Sequence, residues 1–313
     1  MVLNGQLFEP SFQNVGEEVP GFYKDQIKMH KIRSVEFDIV DKQDYQVVDD
    51  RDLSRHYEFN NKGMIERSYY TLVKRIVREE LHSPPIYRRR KMISRGTVTY
   101  RNTFEYDTLT SAFLYDDKGN ITCKRDRDGD FYKANYFWYD SLSRISRMLT
   151  CKETNLSVDK STFMLGVQQV LTDEHYKYQQ FSKIQYKKLC LNDEDRVYKE
   201  VIIDLGGDGK PLKQSEAFVT TWIQQVTEFE YDSLGRIIEK RYKGNAGSPV
   251  DLKETYTYKD GVAESEKHYR NGTLTTETAY LYDIETKLLS SYVMRDYIRK
   301  TMQIVKMRYV FYP

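Results

Sequence analysis

The chain has 313 residues and a formal net charge of +2, so its charge balance excludes a strong general attraction to nucleic acid. Charged residues make up 31% of the chain and its mean hydropathy is −0.72, which leaves little apolar material for a thick core. The 27 tyrosines argue against disorder, because their rings pack across strands while their hydroxyls stay in water. The composition therefore predicts a β-sheet whose two faces are both partly solvated.

The cysteines predict neither a disulfide framework nor a zinc site, because Cys123, Cys151 and Cys190 are odd in number and lack CxxC spacing. No apolar stretch approaches the ~20 residues that span a bilayer, so the chain is not expected to be membrane-spanning itself. Its first residues do not form a signal peptide. This predicts either a cytoplasmic chain or a mature form that has lost its leader.

Residues 1–30 are predicted to form an extended N-terminal arm. They contain Pro10, Pro20 and scattered aromatic residues, with no helical or strand period. Such a segment lies against its own sheet or against a partner, and a partly disordered terminus is the alternative. Residues 31–313 are predicted to form a single β-meander repeat domain, with an irregular insertion near 152–182.

The clearest local pattern lies in residues 228–241. Phe229 and Tyr231 alternate with glutamates, and this period of two predicts a β-strand. Residues 232–235 supply Asp, Ser and Gly, which favour a turn because of side-chain hydrogen bonds and a positive φ. Ile237 begins the returning strand. The stretch therefore predicts an antiparallel hairpin.

Looser copies of this hairpin follow one another along the chain. The Tyr-Asp pairs at 115–116 and 139–140 lie 24 residues apart with one other turn between them, so a strand and its turn take about 12 residues. Asn271 and Gly272 predict a type I′ turn. Residues 66–82 fit a helix or a strand, and the neighbouring pattern favours a strand. The predicted fold is all-β: an elongated, twisted antiparallel meander of successive hairpins, largely single-layered, with little helix.

Three segments resemble the core motif of the YD (RHS-like) repeats. They are Tyr231–Ile237, Tyr139–Ile145, where Ser143 replaces the glycine, and Tyr115–Ile121. The resemblance covers about two thirds of the chain. Full RHS proteins wrap such repeats into a cocoon around a toxin, whereas the few copies and irregular insertions of this chain imply a short, open sheet.

Degenerate arrays of this kind are similar to those in envelope proteins of Bacteroidota. The Asp-Thr-Leu at 107–109 and the Asp-Ser-Leu at 140–142 and 232–234 look like sites that these bacteria O-glycosylate on exported proteins, and all three are expected in turns. The resemblance implies a periplasmic protein. In size and tyrosine-rich meander, the chain resembles the plug subunit of the type nine secretion translocon, which implies an outer-membrane translocon as the protein partner.

No catalytic, cofactor-binding or metal site is predicted. The sequence has no GxSxG, P-loop or GxGxxG motif, and the five histidines lack metal-ligand spacing: His30, His56, His82, His175 and His268. The best metal candidate is Asp126–Asp130, whose alternating acids resemble the start of a calcium loop. It lacks the glutamate at the twelfth position, where Phe137 stands. Turn chemistry explains the same residues, so neither an enzyme nor a cofactor is expected.

The protein is therefore expected to act by binding through its surfaces and not by catalysis. The expected function is that of a structural or binding protein, an accessory or plug subunit of an outer-membrane translocon. One alternative is a carbohydrate-active or peptidase-like enzyme with its site in 152–182 or in the glycine-rich loop 206–211. Another is a toxin-associated RHS fragment. The basic cluster Arg88–Lys91 fits a phosphate site or a guarded sheet edge, and the balanced charge favours the edge, so no nucleic-acid partner is expected.

Overall fold

The computed structural model describes residues 21–43, 46–47, 53–83, 86–89, 91–94, 97–157 and 162–313. Within these residues it contains one helix, α1 (Lys24–Met29), and 21 strands. The first eleven strands are β1 (Ile32–Gln43), β2 (Gln46–Val47), β3 (Leu53–Phe59), β4 (Ile65–Ser83), β5 (Ile86–Arg88), β6 (Lys91–Ser94), β7 (Thr97–Tyr115), β8 (Ile121–Asp128), β9 (Phe131–Tyr139), β10 (Ile145–Asn155) and β11 (Leu165–Ser182). The others are β12 (Gln185–Leu191), β13 (Val197–Leu205), β14 (Pro211–Phe218), β15 (Gln224–Tyr231), β16 (Ile237–Gly244), β17 (Val250–Lys259), β18 (Val262–Arg270), β19 (Thr273–Tyr282), β20 (Leu289–Asp296) and β21 (Thr301–Phe311).

Eighteen of these strands form one closed antiparallel ring. Successive strands from β7 to β21 pair as neighbours, and β1, β3, β4 and β7 continue the ring in that order. The ring closes because β1 also pairs with β21, from Ile32 opposite Phe311 to Gln43 opposite Thr301. β2 pairs with the end of β1, and β5 with β6 forms a separate small hairpin. The barrel wall is therefore a single sheet.

The expectation of an open meander is wrong, although an all-β chain with little helix is confirmed. A hairpin depends on neighbouring residues, so the local pattern is the same in an open sheet and in a closed ring. Closure depends on pairs between the two ends of the chain, such as Val35 opposite Tyr309. Alternation within each strand is compatible with such a pair but does not specify it.

The Tyr-Asp turns are built as the sequence predicted. After β15, Oδ1 of Asp232 accepts hydrogen bonds from the backbone N–H groups of Leu234 and Arg236, both at 2.9 Å. The N–H of Asp232 donates to the carbonyl of Arg236 at 2.9 Å. Gly235 has a φ of +75°, and Ser143 adopts +59° at the corresponding position of its turn. The aspartate of the motif therefore serves the turn.

The tyrosines of these hairpins point into the barrel. The hydroxyl of Tyr231 donates to the carbonyl of Pro211, and that of Tyr258 donates to the carbonyl of Ile237, both at 2.7 Å. The guanidinium of Arg236 lies 4.2 Å from the centre of the Tyr258 ring. A β-bulge lies immediately before each of these two tyrosines in the strand pairing and increases the local twist. The packing of the tyrosine rings, the turns and the β-bulges therefore all contribute to the curvature of the barrel wall.

Side chains alternate between an inner and an outer face of the wall. The inner face is identified by contacts across strands that are not neighbours. Burial raises the pKa of Tyr57 on β3, and Tyr292 on β20 adds to the rise although β1 and β21 lie between them. The main core cluster lies on this concave face: Ile27, Ile32, Val35, Phe37, Tyr57, Phe59, Ile65, Phe113, Leu288, Leu289, Val305 and Met307.

The N-terminal segment packs against its own sheet at this core. Ile27 of α1 is fully buried, and the Phe22 ring meets the Phe59 ring edge-on at 5.1 Å between centroids. Residues 1–20 of the predicted arm lie outside the described residues. In the described part of the chain, no helix is long and apolar enough to cross a membrane. The segment from Phe22 to α1 thus fills one end of the barrel interior.

Gly63→Ala is expected to destabilise the fold more than Gly209→Ala. The two glycines occupy the same position of the same kind of turn, with φ of +80° and +82°, and donate to Asn60 and Gly206. Both variants incur the left-handed backbone cost of about 1–2 kcal/mol. A Cβ at Gly63 would also lie 2.2 Å from the carbonyl oxygen of Lys24, while one at Gly209 meets nothing within 4 Å. Urea unfolding compares them, and equal losses would contradict the packing of α1 on this turn.

Several segments with uncertain sequence patterns now have a place. Within residues 152–182, β10 ends at Asn155 and β11 begins at Leu165, and residues 158–161 lie outside the described residues. Residues 66–82 lie in β4, which confirms the strand. Asn271 and Gly272 have φ of +49° and +80°, as a type I′ turn requires. The Asp-Thr-Leu at 107–109 lies within β7 and not in a turn, because β4 pairs along this whole stretch.

Candidate functional site

The best candidate site is a polar recess of about 520 Å³ on the inner face of β13 to β17. Its side chains come from inward positions of five neighbouring strands, so the curvature of the ring turns them toward a shared space. We call it the inner-wall patch, and it consists of Lys199, Gln214, Glu216, Phe218, Gln225, Thr227, Phe229, Lys240, Tyr242, Leu252 and Glu254.

Charges within the inner-wall patch are paired. Nζ of Lys199 lies 3.1 Å from Oε2 of Glu216, whose Oε1 accepts a hydrogen bond from Gln214 at 2.7 Å. Nζ of Lys240 lies 3.6 Å from Oε2 of Glu254. Paired charges beside aromatic rings can hold a polar ligand by hydrogen bonds and ring contacts. The patch contains no serine, cysteine or threonine next to a histidine, the arrangement that nucleophilic catalysis uses.

Next to the inner-wall patch, a cluster around His268 lies on the inner face of β18 and β19. Nε2 of His268 lies 2.5 Å from Oε1 of Glu266, and the Tyr280 hydroxyl donates to Oε2 of Glu266 at 2.5 Å. Burial raises the pKa of Glu266, but the hydrogen bond and charge of His268, with the bond from Tyr280, outweigh burial and lower it. The hydrogen bond to Glu266 raises the pKa of His268 against the effect of burial. The two side chains therefore favour the charged pair.

The stability of the barrel should depend on pH through this pair. The contribution of His268 is complete below its ordinary pKa of 6.5 and is lost as pH rises through its raised folded value. That of Glu266 is complete above its ordinary pKa of 4.5 and is lost as pH falls through its lowered folded value. The pair therefore contributes most between pH 4.5 and 6.5.

His268→Gln should flatten this dependence, because glutamine keeps a hydrogen-bond donor but carries no charge. Denaturant unfolding at a series of pH values measures it, and the difference between wild type and variant should shrink above pH 7. His56→Gln is the control, since His56 lies 3.6 Å from Glu58 on the outer face. A constant difference at every pH would contradict the role of the histidine charge.

The candidate calcium loop belongs to the wall. Asp126 and Asp128 lie in β8, and Oδ1 of Asp126 accepts a hydrogen bond from Ser111 at 2.5 Å. Its Oδ2 lies 3.2 Å from Nζ of Lys124. Among the described residues, no group of three or more His, Cys, Asp or Glu side chains could hold a metal ion. Asp126 thus pairs within the wall, with Ser111 on β7 and with Lys124 on its own strand.

The other sequence candidates are dispersed. The glycine-rich segment 206–211 is the turn between β13 and β14, closed by the N–H of Gly206 donating to Lys210 at 2.7 Å. Arg88 and Arg89 are exposed in the β5–β6 hairpin, and Arg90 lies outside the described residues. These segments do not meet the inner-wall patch, so the structure does not assemble them into one site.

The most buried carboxylate among the described side chains was not predicted from sequence. Glu153 on β10 is 0% exposed and accepts hydrogen bonds from Nε of Arg125 at 2.8 Å, the Tyr136 hydroxyl at 2.5 Å and Gln168 at 2.8 Å. The Phe163 ring covers the Arg125 guanidinium at 3.8 Å. In the sequence, each residue resembles an ordinary solvated strand position. Their meeting depends on register across β8 to β11, for which the sequence has no local signal.

No protein-family model matches the chain, and no curated protein matches it. Among solved structures, the chain is similar to a porin-like protein from Bacteroides uniformis, with 11% identity, 90% of this chain and 97% of that chain covered, and a TM-score of 0.37. A porin-like protein from Bacteroides vulgatus is similar at 11% identity, with 64% and 94% covered and a TM-score of 0.30. At these values the likeness carries no inference about activity.

The closed ring corrects two expectations that came from the YD-repeat resemblance. The chain is not a YD or RHS-like repeat array, because its hairpins close into an 18-stranded barrel. The alternative function, a toxin-associated RHS fragment, is therefore wrong too. The expected periplasmic location rested on the same resemblance and is wrong as well. A closed antiparallel ring with an even number of strands is the architecture of bacterial outer-membrane barrels.

Proposed function

We propose that the chain is a non-enzymatic barrel subunit of a protein complex in the bacterial outer membrane, and that its wall contacts protein and water rather than lipid. An accessory or plug role at a secretion translocon is the narrower form of this proposal. The assignment to the type nine translocon in particular stays a prediction.

The observation that carries the proposal is the charge on both faces of the wall. At the middle of β16, the outward Arg241 lies 2.6 Å from Asp251, and the adjacent inward Lys240 lies 3.6 Å from Glu254. A lipid-facing wall carries an apolar band about 25 Å tall, and one Arg or Lys at its midplane costs about 2–4 kcal/mol. Further cross-strand pairs repeat the pattern on the outer face: Lys187–Glu200, Lys253–Glu239, Lys267–Glu277 and Arg308–Asp38.

The inner-wall patch supports a binding role over catalysis. Glu216 and Glu254, which could serve as acid and base, are both held by lysines, and Glu216 also accepts the Gln214 amide. Each carboxylate instead lies against a lysine on the polar inner face of the wall. Binding needs only the shape and the hydrogen bonds that the patch offers.

Purification without detergent tests the wall. The chain should be monodisperse in aqueous buffer and should produce no conductance steps in planar bilayers, because charged side chains occupy the strand centres. A requirement for detergent together with conductance steps would overturn a wall that faces water and protein.

Photo-crosslinking in native membranes tests the complex. A photoreactive residue at Lys267 on the outer face should produce adducts with outer-membrane proteins, and one at Phe229, which is 5% exposed on the inner face, should not. Absence of any outer-membrane adduct from Lys267 and from matched outward sites such as Lys253 would contradict membership in such a complex.

A further inference from the structure

β4 and β7 form a two-stranded extension past the rim of the barrel. β3 pairs with β4 as far as Tyr70 and β8 pairs with β7 from Ser111 onward, while β4 and β7 continue to pair with each other as far as Ser83. Apart from this pairing, no strand of the described part of the chain pairs with residues 72–83 or 97–110. The residues of β4 beyond Tyr70 span roughly 40 Å at the usual rise per residue. The β5–β6 hairpin connects the far ends of the two strands.

Residues 71–110, which we call the arm, carry the positive charge of the chain. They contain nine Lys or Arg and four Asp or Glu, a net charge of +5, whereas the whole chain has +2 and the remaining residues therefore −3. Between Glu80 and Glu105 the arm has six Lys or Arg and no acid. Salt screens charges beyond about 8 Å, and the strands separate the tip from the barrel by several times that distance. The negative barrel therefore does not cancel the positive potential at the tip.

The described basic side chains at the tip are exposed and unpaired. Arg88 lies opposite Lys91 in the β5–β6 pairing, and Arg89 in the turn between them has a φ of +48°. All three are exposed, and among the described side chains no Asp or Glu forms an ion pair with any of them. On the wall, by contrast, lysines pair with acids, as Lys267 does with Glu277 at 3.2 Å. The tip therefore has the charge of an anion-binding surface.

We propose that the tip of the arm binds the anionic headgroups of a lipid membrane. Basic residues alone suit any polyanion, but the same hairpin contains Ile86, and it places Tyr87 opposite Met92 next to the basic pair. Apolar and aromatic residues beside Lys or Arg are typical of segments that bind at the boundary between headgroups and water. The choice of lipid over nucleic acid also rests on the proposed place of the chain in the outer membrane.

Binding through the tip is compatible with the charged wall of the barrel. A wall with Lys240 and Arg241 on its two faces does not enter lipid, so attachment to a membrane needs another part of the chain. The tip supplies this contact, because headgroup binding needs positive charge at the membrane surface and no spanning segment. The tip and the wall then have separate partners, lipid headgroups at the tip and proteins of the complex at the wall.

Co-sedimentation of the full chain with vesicles tests the tip. The chain should bind vesicles that contain phosphatidylglycerol, should not bind vesicles of phosphatidylcholine alone, and should be released by added salt. Arg88→Gln, Arg89→Gln and Lys91→Gln combined should weaken binding about 100-fold, because each basic residue near an anionic surface contributes about fivefold. Circular dichroism checks that the variants fold. The control removes the same charge from exposed positions on the opposite rim and should leave binding unchanged: Lys62→Gln, Lys118→Gln and Lys183→Gln.

Three results would overturn the lipid assignment. They are absence of binding to the anionic vesicles, a loss in the control variant as large as that in the tip variant, and tighter binding to duplex DNA than to the vesicles. These measurements use only the purified chain and vesicles, whereas the photo-crosslinks from Lys267 test membership in the complex. Failure of lipid binding therefore leaves the proposed complex intact, and absence of crosslinks does not alter the measured affinity for lipid.

Discussion

Glu153→Ala lowers the free energy of unfolding by about 3–5 kcal/mol, because it leaves a buried arginine without its counter-charge. Arg125 is 13% exposed at its side chain and donates from Nε to Glu153 at 2.8 Å. Tyr136 and Gln168 also lose their shared acceptor. Chemical denaturation monitored by tryptophan fluorescence measures the loss.

The control for this prediction is an exposed ion pair of the same wall. Glu200→Ala removes a carboxylate that is 38% exposed and lies 2.9 Å from Lys187. An exposed pair contributes about 0–1 kcal/mol, so this loss should be several-fold smaller. Where Glu153→Ala fails to fold, Glu153→Gln keeps the shape of the side chain and gives the measurable comparison. Equal losses at Glu153 and Glu200 would contradict the buried network.

Phe59→Ala is expected to cost about 3–5 kcal/mol, the usual range for deleting a buried phenylalanine ring. Phe59 is 1% exposed and meets Phe22 edge-on, so its removal leaves a cavity between the wall and the N-terminal segment. Phe311→Ala is the control, because Phe311 is 47% exposed. Thermal unfolding compares the two variants.

The same Phe59 variant should also release the N-terminal segment. Limited proteolysis should cut Phe59→Ala near α1 while Phe311→Ala stays protected, because the contact between Phe22 and Phe59 holds the segment on the core. Loss of stability without new cleavage would show that other contacts, such as the burial of Ile27, suffice to hold α1.

The hairpins could be predicted because their signals are local. Phe229 and Tyr231 point inward, and Glu230 between them points outward, as the period of two required. Asp232 forms the predicted turn through hydrogen bonds to residues two and four positions on. Each of these features involves fewer than ten consecutive residues, so the local sequence is enough to determine it.

Closure and burial could not be predicted because they depend on distant pairs. Val35 meets Tyr309 only when the two ends of the chain pair. Glu153 is buried because the register of β8 to β11 brings its partners together, and the Phe163 ring covers Arg125 beside it. A strand with alternating polar residues is compatible with many neighbours, so its sequence does not say which strand lies beside it.

The inner-wall patch was missed for a related reason. Its Lys199, Glu216 and Lys240 are spread over three strands and have no motif spacing, so they become neighbours only through the register of β13 to β16. The tyrosines, by contrast, were expected to pack their rings across strands with their hydroxyls in water, but the hydroxyls also hold the sheet together. Tyr231 does so through its hydrogen bond to Pro211, and burial raises the pKa of Tyr231 to about 12.

The central claim, that the first and last strands close the ring, is tested most directly by one distance. Spin labels at Val40→Cys and Ile304→Cys lie on residues that pair directly across β1 and β21. In the barrel their backbones are neighbours about 5 Å apart, so pulsed electron spin resonance should return a single short distance. An open sheet of the same strands would separate them by up to about 80 Å, and a long distance would contradict the closed barrel.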